Sequence, residues 1–268
     1  MIPPTPAESP GAYDPALQVT GRGPPLVFVP GIDGTGRMFY RQVPRLAPDY
    51  QVATYRLRDD APTMDALVDD LDHVLAAAAP GGEPAVIVGE SFGGALALSF
   101  ALARPERVRA LVVLNSFARF AAPHRLHLAR AVLPLVPWRA AQLVRRVGAR
   151  RLHSPHTSAE EVRRALDLTR DATRRGYLGR LGILTRYDVR ARLPELRPPA
   201  LFLAADRDRL LPAVTHAREM AALAPGARLH TLAGHGHVCL VAPGVDLAEL
   251  LRGWPAAHGT GGDRAAGR

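Results

Sequence analysis

The sequence contains no lysine: all 34 of its basic residues are arginine. This excludes a phosphate-binding loop of the G-x-x-x-x-G-K-[ST] kind, which needs its lysine on the terminal phosphates. It also weakens the nucleic-acid reading that a net charge of +9 invites. The arginines are spread along the chain, densest from Arg139 to Arg192, and Ala, Gly and Pro are abundant. Coding bias and a solvated helical surface account for this pattern, so no nucleic-acid partner is expected; a docking surface for an acidic partner or a membrane is the alternative. There is one cysteine, Cys239, so no internal disulfide forms and a cytoplasmic location is expected. No window approaches the length of a charge-free apolar membrane span. Residues 1–15 hold five prolines and no apolar core of the signal-peptide kind, and read as a poorly ordered lead.

What is present is enough for one large domain: 268 residues, 47% of them hydrophobic. Strand-like and helix-like segments alternate. Short apolar, β-branched runs at 25–29, 50–55, 85–88, 108–114, 200–205 and 228–232 predict strands, with a short edge strand at 16–20. Helices are predicted at 37–46, 94–103, 214–223 and 245–254. Another is predicted from Met64, where Leu67, Val68, Leu71, Val74 and Leu75 recur at helical spacing behind a Thr63 cap. This alternation predicts an α/β fold, a mostly parallel sheet with helices on both faces. Between 116 and 189 the strand signal disappears. Segments at 126–133, 140–147 and 159–168 read as helices broken by Pro134, Pro137, Gly148 and Pro155. The expected organisation is a core in two parts, 1–115 and 190–254, a helical insertion at 116–189, and a disordered tail at 255–268.

The chain is organised around Gly89-Glu90-Ser91-Phe92-Gly93, a G-x-S-x-G between a buried strand and an Ala/Leu-rich helix. A serine at such a sharp strand-to-helix turn presents its hydroxyl as a nucleophile. The glycines are needed because a Cβ at either position would strike a neighbouring element. Serine is a weak nucleophile without a base, and the base needs an orienting carboxylate. After a strand that follows the insertion, the sequence offers Asp208 and Asp206, with Asp208 favoured. After the last strand it offers His237 and His235. His237 is favoured because it leads directly into an apolar stretch. A zinc reading of His235 and His237 finds no third ligand at suitable spacing. Two backbone N–H groups are needed to hold an oxyanion. Phe92 supplies one, and the Gly-rich loop Pro30–Gly36 supplies the other, most simply at Ile32. Nothing in this chemistry calls for a cofactor or metal.

With these residues in place the chain resembles the α/β-hydrolase superfamily along nearly its whole length: V-F-V-P-G-I-D-G-T-G, V-G-E-S-F-G-G, A-L-V-V-L-N-S, D-R-D-R-L-L-P and G-H-V-C-L occur in the expected order. It departs at Pro30-Gly31, where many members carry His-Gly. The resemblance implies an α/β-hydrolase fold and a helical lid at 116–189 that shapes the substrate pocket. More narrowly, P-G-I-D-G-T-G with G-E-S-F-G-G resembles the esterase-like half of phytyl ester synthase-type proteins and their bacterial relatives. The function so implied is a serine hydrolase acting on a small-molecule carboxylic ester. An acyltransferase to an alcohol, and a non-catalytic binding protein on the same scaffold, are the rivals. The apolar residues Leu126, Leu133, Leu135, Val136, Trp138 and Leu143 fit either a lipophilic substrate or the insertion's own core.

Overall fold

The computed structural model describes residues 15–120 and 123–258. Among these residues seven strands form one sheet in the order β1-β3-β2-β4-β5-β6-β7. The strands are β1 (Gln18–Thr20), β2 (Pro25–Val29), β3 (Gln51–Thr54), β4 (Ala85–Glu90), β5 (Val108–Leu114), β6 (Ala200–Ala205) and β7 (Arg228–Leu232). All neighbouring pairs are parallel except β1 with β3, the short exposed edge. The helices are α1 (Val43–Leu46), α2 (Met64–Ala78), α3 (Phe92–Ala103), α4 (Pro123–Val132), α5 (Trp138–Leu152), α6 (Ala159–Leu168), α7 (Arg174–Leu184), α8 (Ala213–Leu223) and α9 (Leu247–Arg252).

The sheet is parallel and covered on both faces, which is why its central strands read as continuous apolar runs. Alternate residues of each strand enter different cores. Val27, Val29, Ile87 and Val113 pack with α2, α3 and α8, whereas Leu26, Phe28, Val86 and Val112 pack with α1 and α9. The Thr63 hydroxyl caps α2 by accepting from the Ala66 amide at 3.2 Å, as its position in the sequence predicts.

Four helices, α4 to α7, lie between β5 and β6. Four expectations are corrected here and elsewhere in the fold. The helix predicted at 37–46 is a 3-10 turn, Arg37–Phe39, followed by the short α1 with Pro44 in its first turn. Gly148 does not break its helix; α5 runs on through it at the modest propensity cost of an interior glycine. Helix α7 was not expected, since Gly176, Gly179 and Gly182 lower its intrinsic helix propensity. Packing favours glycine there: a Cβ at Gly176 would lie 2.0 Å from Asp59 Oδ1 and 2.5 Å from Arg180 Nη2, so the Arg180–Asp59 pair would have to shift to admit one. The tail expected to lose order at 255 remains packed through Pro255–Ala257, a 3-10 turn with Ala257 buried. Residues 259–268, the rest of that tail, and the lead at 1–14 lie outside the described residues.

Candidate active site

Ser91 sits between the last residue of β4 and the first of α3, with φ 57° and ψ −120°. A positive φ is costly for a side-chain-bearing residue and persists only where surroundings enforce it. Here the Ser91 amide donates to Leu114 O at 2.9 Å, and the Ser116 hydroxyl donates to Ser91 O at 2.6 Å. A Cβ on Gly89 would lie 2.2 Å from Gly93 O, and one on Gly93 would lie 2.1 Å from Val29 O. The turn is tight enough to require both glycines.

Three residues far apart in sequence meet at this turn. Ser91 Oγ is 3.0 Å from His237 Nε2, and His237 Nδ1 is 2.7 Å from Asp208 Oδ2. The Asp208 side chain is 1% exposed. Its Oδ1 accepts from the amides of Leu210 and Leu211 at 2.8 and 3.0 Å, which leaves Oδ2 directed at the imidazole. Asp206 is placed elsewhere: its carboxylate accepts from the Gly234 amide at 2.7 Å and braces the turn after β7. His235 is also engaged elsewhere, with Nδ1 3.0 Å from Ser154 Oγ. Burial lowers its pKa from the ordinary imidazole value.

Asn115, at the end of β5, is a positioning residue that the sequence reading passed over. Its Nδ2 donates to His237 O at 2.7 Å while its Oδ1 accepts from the Ala205 amide at 2.7 Å. One side chain thereby ties the His237 loop to the end of β6, from which Asp208 follows. The available signal was an Asn directly after an all-apolar strand.

Phe92 is the first residue of α3, so its amide is one of the first-turn donors without an intrahelical acceptor. Ile32 and Asp33 lie in the loop after β2, and Ile32, Asp33, Ser91 and His237 line one cavity. The Asp33 carboxylate folds back on the Thr35 amide at 2.9 Å, closing the loop on itself rather than capping a helix. A second residue missed from sequence holds this loop from outside. Arg180 of α7 is 2% exposed. Its Nε donates to Ile32 O at 3.0 Å, its Nη2 to Asp33 O at 3.3 Å and its Nη1 to Arg58 O at 3.3 Å. An ion pair with Asp59 at 3.2 Å balances its charge. Gly34, at φ 73°, makes room for this guanidinium, because a Cβ there would lie 2.3 Å from Nη2.

The cavity at Ser91 has a volume of about 220 Å³ and is walled on the insertion side by α5, α6 and Tyr177. Glu90 also faces it. Glu90 is 8% exposed, and its Oε1 has no hydrogen-bond partner among the described residues. Burial pushes its carboxyl up to about 7, with the field of His237 opposing. A second cavity of about 670 Å³ shares Arg145, Leu152 and Tyr177 with the first. The apolar residues of the insertion divide among three environments. Leu126 is buried, Leu133 and Trp138 line the larger cavity, and Leu135 and Leu143 are exposed. Among the described residues no three His, Cys, Asp or Glu side chains are placed so that they could hold a metal ion. No helix among them is long and apolar enough to cross a membrane.

Fold and site together define a hydrolase of the α/β class. The chain belongs to the alpha/beta hydrolase family, whose profile matches residues 26–250. It is 34% identical over 256 residues to the pimeloyl-[acyl-carrier protein] methyl ester esterase of Xanthomonas campestris pv. campestris, an alignment covering 90% of this chain and 98% of that one. The protein of the same name in Stenotrophomonas maltophilia K279a is 32% identical over 251 residues, covering 90% and 96%. Among solved structures, a thermophilic esterase from Thermogutta terrifontis superposes with a TM-score of 0.78 at 23% identity, covering 89% of this chain and 91% of that one. A hydrolase from Pseudomonas aeruginosa superposes at 0.74 and 24% identity, covering 83% and 86%. These superpositions bear on the fold, which is the α/β-hydrolase fold.

Proposed function

We propose that this protein hydrolyses carboxylic esters through an acyl-enzyme on Ser91. The observation that carries this reading is the unbroken hydrogen-bonded chain from Ser91 Oγ through His237 to the buried Asp208. In the first half-reaction Ser91 Oγ attacks the ester carbonyl carbon while His237 Nε2 takes its proton. Asp208 keeps the other imidazole N–H directed inward and stabilises the imidazolium. The Ile32 and Phe92 amides hold the oxyanion, and Arg180 steadies the Ile32 backbone through the carbonyl of the peptide that follows that amide. When the tetrahedral intermediate collapses, the carbonyl–alkoxide bond breaks and His237 returns the proton to the leaving alcohol. Water then attacks the acyl-enzyme with His237 again as base, releasing the acid and restoring Ser91.

The scissile bond we assign is an ester of a small alcohol, the kind named for the Xanthomonas and Stenotrophomonas relatives, and the modest cavity at Ser91 accommodates it. Residues 116–189 are the lid in this reading. The rival acyltransferase reading rests on the paired motifs P-G-I-D-G-T-G and G-E-S-F-G-G, which resemble those of phytyl ester synthase-type proteins. No contact in the site favours an alcohol over water as acceptor.

The experiment is fluorophosphonate labelling of wild type and Ser91→Ala in parallel, with hydrolysis of p-nitrophenyl esters followed on the same preparations. Labelling and turnover that both vanish in Ser91→Ala are expected. A folded wild type that does not label overturns the reading in favour of a binding protein. A product that partitions to an added alcohol rather than to water gives the acyltransferase.

A further inference from the structure

We propose that the cavity beside α5 takes the far end of the substrate and that this end is anionic, so that the ester sits on an apolar chain terminating in a carboxylate or phosphate. This rests on Ser91 as the nucleophile and names the substrate class for that site.

The larger cavity is within the usual size of a small-molecule site and adjoins the Ser91 cavity across the shared Arg145, Leu152 and Tyr177. Its wall is of two kinds. Leu133, Trp138 and Val144 contribute apolar surface, and Arg145, Arg151 and Arg209 contribute three guanidiniums, with no Asp or Glu in the lining. Arginines elsewhere in this chain are commonly paired with acids, as in Arg41–Glu161, Arg58–Asp70, Arg107–Asp72 and Arg180–Asp59. The three cavity arginines form no ion pair among the described residues. Arg151 and Arg209 stand exposed at the rim, while Arg145 is half-buried at the wall between the two cavities.

Arg145 is the most telling of the three. Its Nη1 and Nη2 donate to Thr169 Oγ1 and Thr169 O at 3.0 and 3.2 Å, at the C-terminal end of α6. Its Nε is buried without a hydrogen-bond partner. A helix C-terminus supplies only part of a counter-charge, and a desolvated cation with an idle donor is a standing cost. The Asp33 carboxylate, across the Ser91 cavity, adds to that counter-charge but makes no hydrogen bond to Nε; a ligand anion reaching this wall from the larger cavity would supply the acceptor and further charge. Apolar lining with cationic groups and no acid complements an amphipathic anion, and it repels neither the chain nor the head of such a molecule.

The test compares monomethyl esters of medium-chain dicarboxylic acids with methyl esters of fatty acids of equal length. A second arm uses methyl esters ending in a phosphate. A third uses acetate esters of ω-hydroxy fatty acids, which place the anion on the alcohol side. We expect kcat/KM for an anionic ester to exceed that of its neutral isostere by about tenfold or more, the scale of a charge-assisted contact. That ratio falls toward one in Arg151→Met/Arg209→Met and in Arg145→Met. The rim pair makes no hydrogen bond or ion pair with the described residues, so it reports even if Arg145→Met loosens the contact between α5 and α6. Preference between the arms assigns carboxylate or phosphate, and acyl or alcohol side. Binding of a monomethyl dicarboxylate to Ser91→Ala, measured by calorimetry, reads the cavity without turnover. If no ester is hydrolysed, the Ser91 reading fails; calorimetric binding lost on adding Arg151→Met/Arg209→Met still upholds the anion site, and absence of binding removes it. Equal kcat/KM for charged and neutral esters, or a ratio unmoved by Arg151→Met/Arg209→Met, overturns the proposal while leaving Ser91 as nucleophile.

Discussion

The turn that opens α3 and the helix α5 border the same cavity and are built on opposite terms. From Ala85 through Leu102, across β4 and most of α3, every residue is buried except Ser91. Along α5 only Ala149 is buried, while Leu143, Val144 and Val147 are 61%, 72% and 76% exposed. In the first segment neighbours dictate each side chain, and the one residue they leave open is the one with chemistry to do. In the second, few neighbours dictate anything, so side chains at the cavity can change without disturbing a core. Bond-breaking geometry and substrate choice are thereby placed on separate supports.

The sharpest way to break this contrast is at the residues that meet Ser91. Asp208→Asn should lower kcat by about 10⁴, since the amide favours the wrong imidazole tautomer. Asp206→Asn should change kcat by less than about tenfold, because its carboxylate accepts from the Gly234 amide and not from the His237 imidazole. Steady-state kinetics on one p-nitrophenyl ester checks both. Equal losses would mean that the two acids are not divided as their contacts indicate. Gly93→Ala should next cost more than about 4 kcal/mol of stability, because its Cβ would meet the Val29 carbonyl with no flexible atom to yield. Gly148→Ala on α5, with nothing within 4 Å, should instead gain a few tenths of a kcal/mol or more. Thermal melts of the pair put a number on the contrast.

Glu90 sharpens it in another way, through pH. Its carboxyl is raised from 4.5 to about 7 in the folded protein. The folded state therefore keeps a proton that the unfolded chain releases between those values. The resulting stability is fully present below the lower value and is lost as pH rises through the upper one. Glu90→Gln removes this dependence. It should match wild type only below about pH 4.5, gain on it as pH rises toward 7, and exceed it above neutrality by up to about 3 kcal/mol. Denaturation curves across that range decide it; parallel profiles for the two proteins would mean that Glu90 ionises freely where it stands.

The same contrast governs what could be read without coordinates. Strands β2, β4, β5 and β6 were legible because burial on both faces writes them as unbroken apolar runs. The G-x-S-x-G turn was legible because backbone crowding demands glycine there. Asp208 and His237 could be narrowed only to pairs, since their selection depends on which carboxylate the Leu210 and Leu211 amides orient and which imidazole Ser154 removes. Asn115 and Arg180 act through contacts 90 to 148 residues away in sequence, which no local pattern encodes. Helix α7 was hidden for a related reason: its Gly176 answers to Asp59 and Arg180, not to helix propensity. In α5, Gly148 suggested a break that the chain had no cause to make.

Arg180 crosses the divide, since it belongs to the inserted helices but grips the loop that carries Ile32. Arg180→Lys keeps the charge and loses the planar fork that reaches two loop carbonyls at once. We expect kcat to fall by about tenfold to a hundredfold, with KM changed much less, because a displaced Ile32 amide weakens the transition state more than the bound ester. Affinity for a boronic acid that mimics the tetrahedral intermediate should fall in step with kcat. A variant that melts earlier but keeps both kcat and boronate affinity would make Arg180 a support for α7 alone.

The smallest effect belongs to the outer surface of α5. Leu143→Ser and Val147→Ser should each change stability by less than about 0.5 kcal/mol, as expected where little apolar area is covered in the folded chain. Neither residue lines the larger cavity, whereas Val144 between them does. Val144→Ser should therefore leave the melting temperature nearly as it was and yet raise KM for long-chain esters more than for short ones. A large loss of stability in Leu143→Ser or Val147→Ser would mean that this face of α5 is covered in solution. The contrast with α3 would then lie in what each helix packs against, not in how much of it is packed.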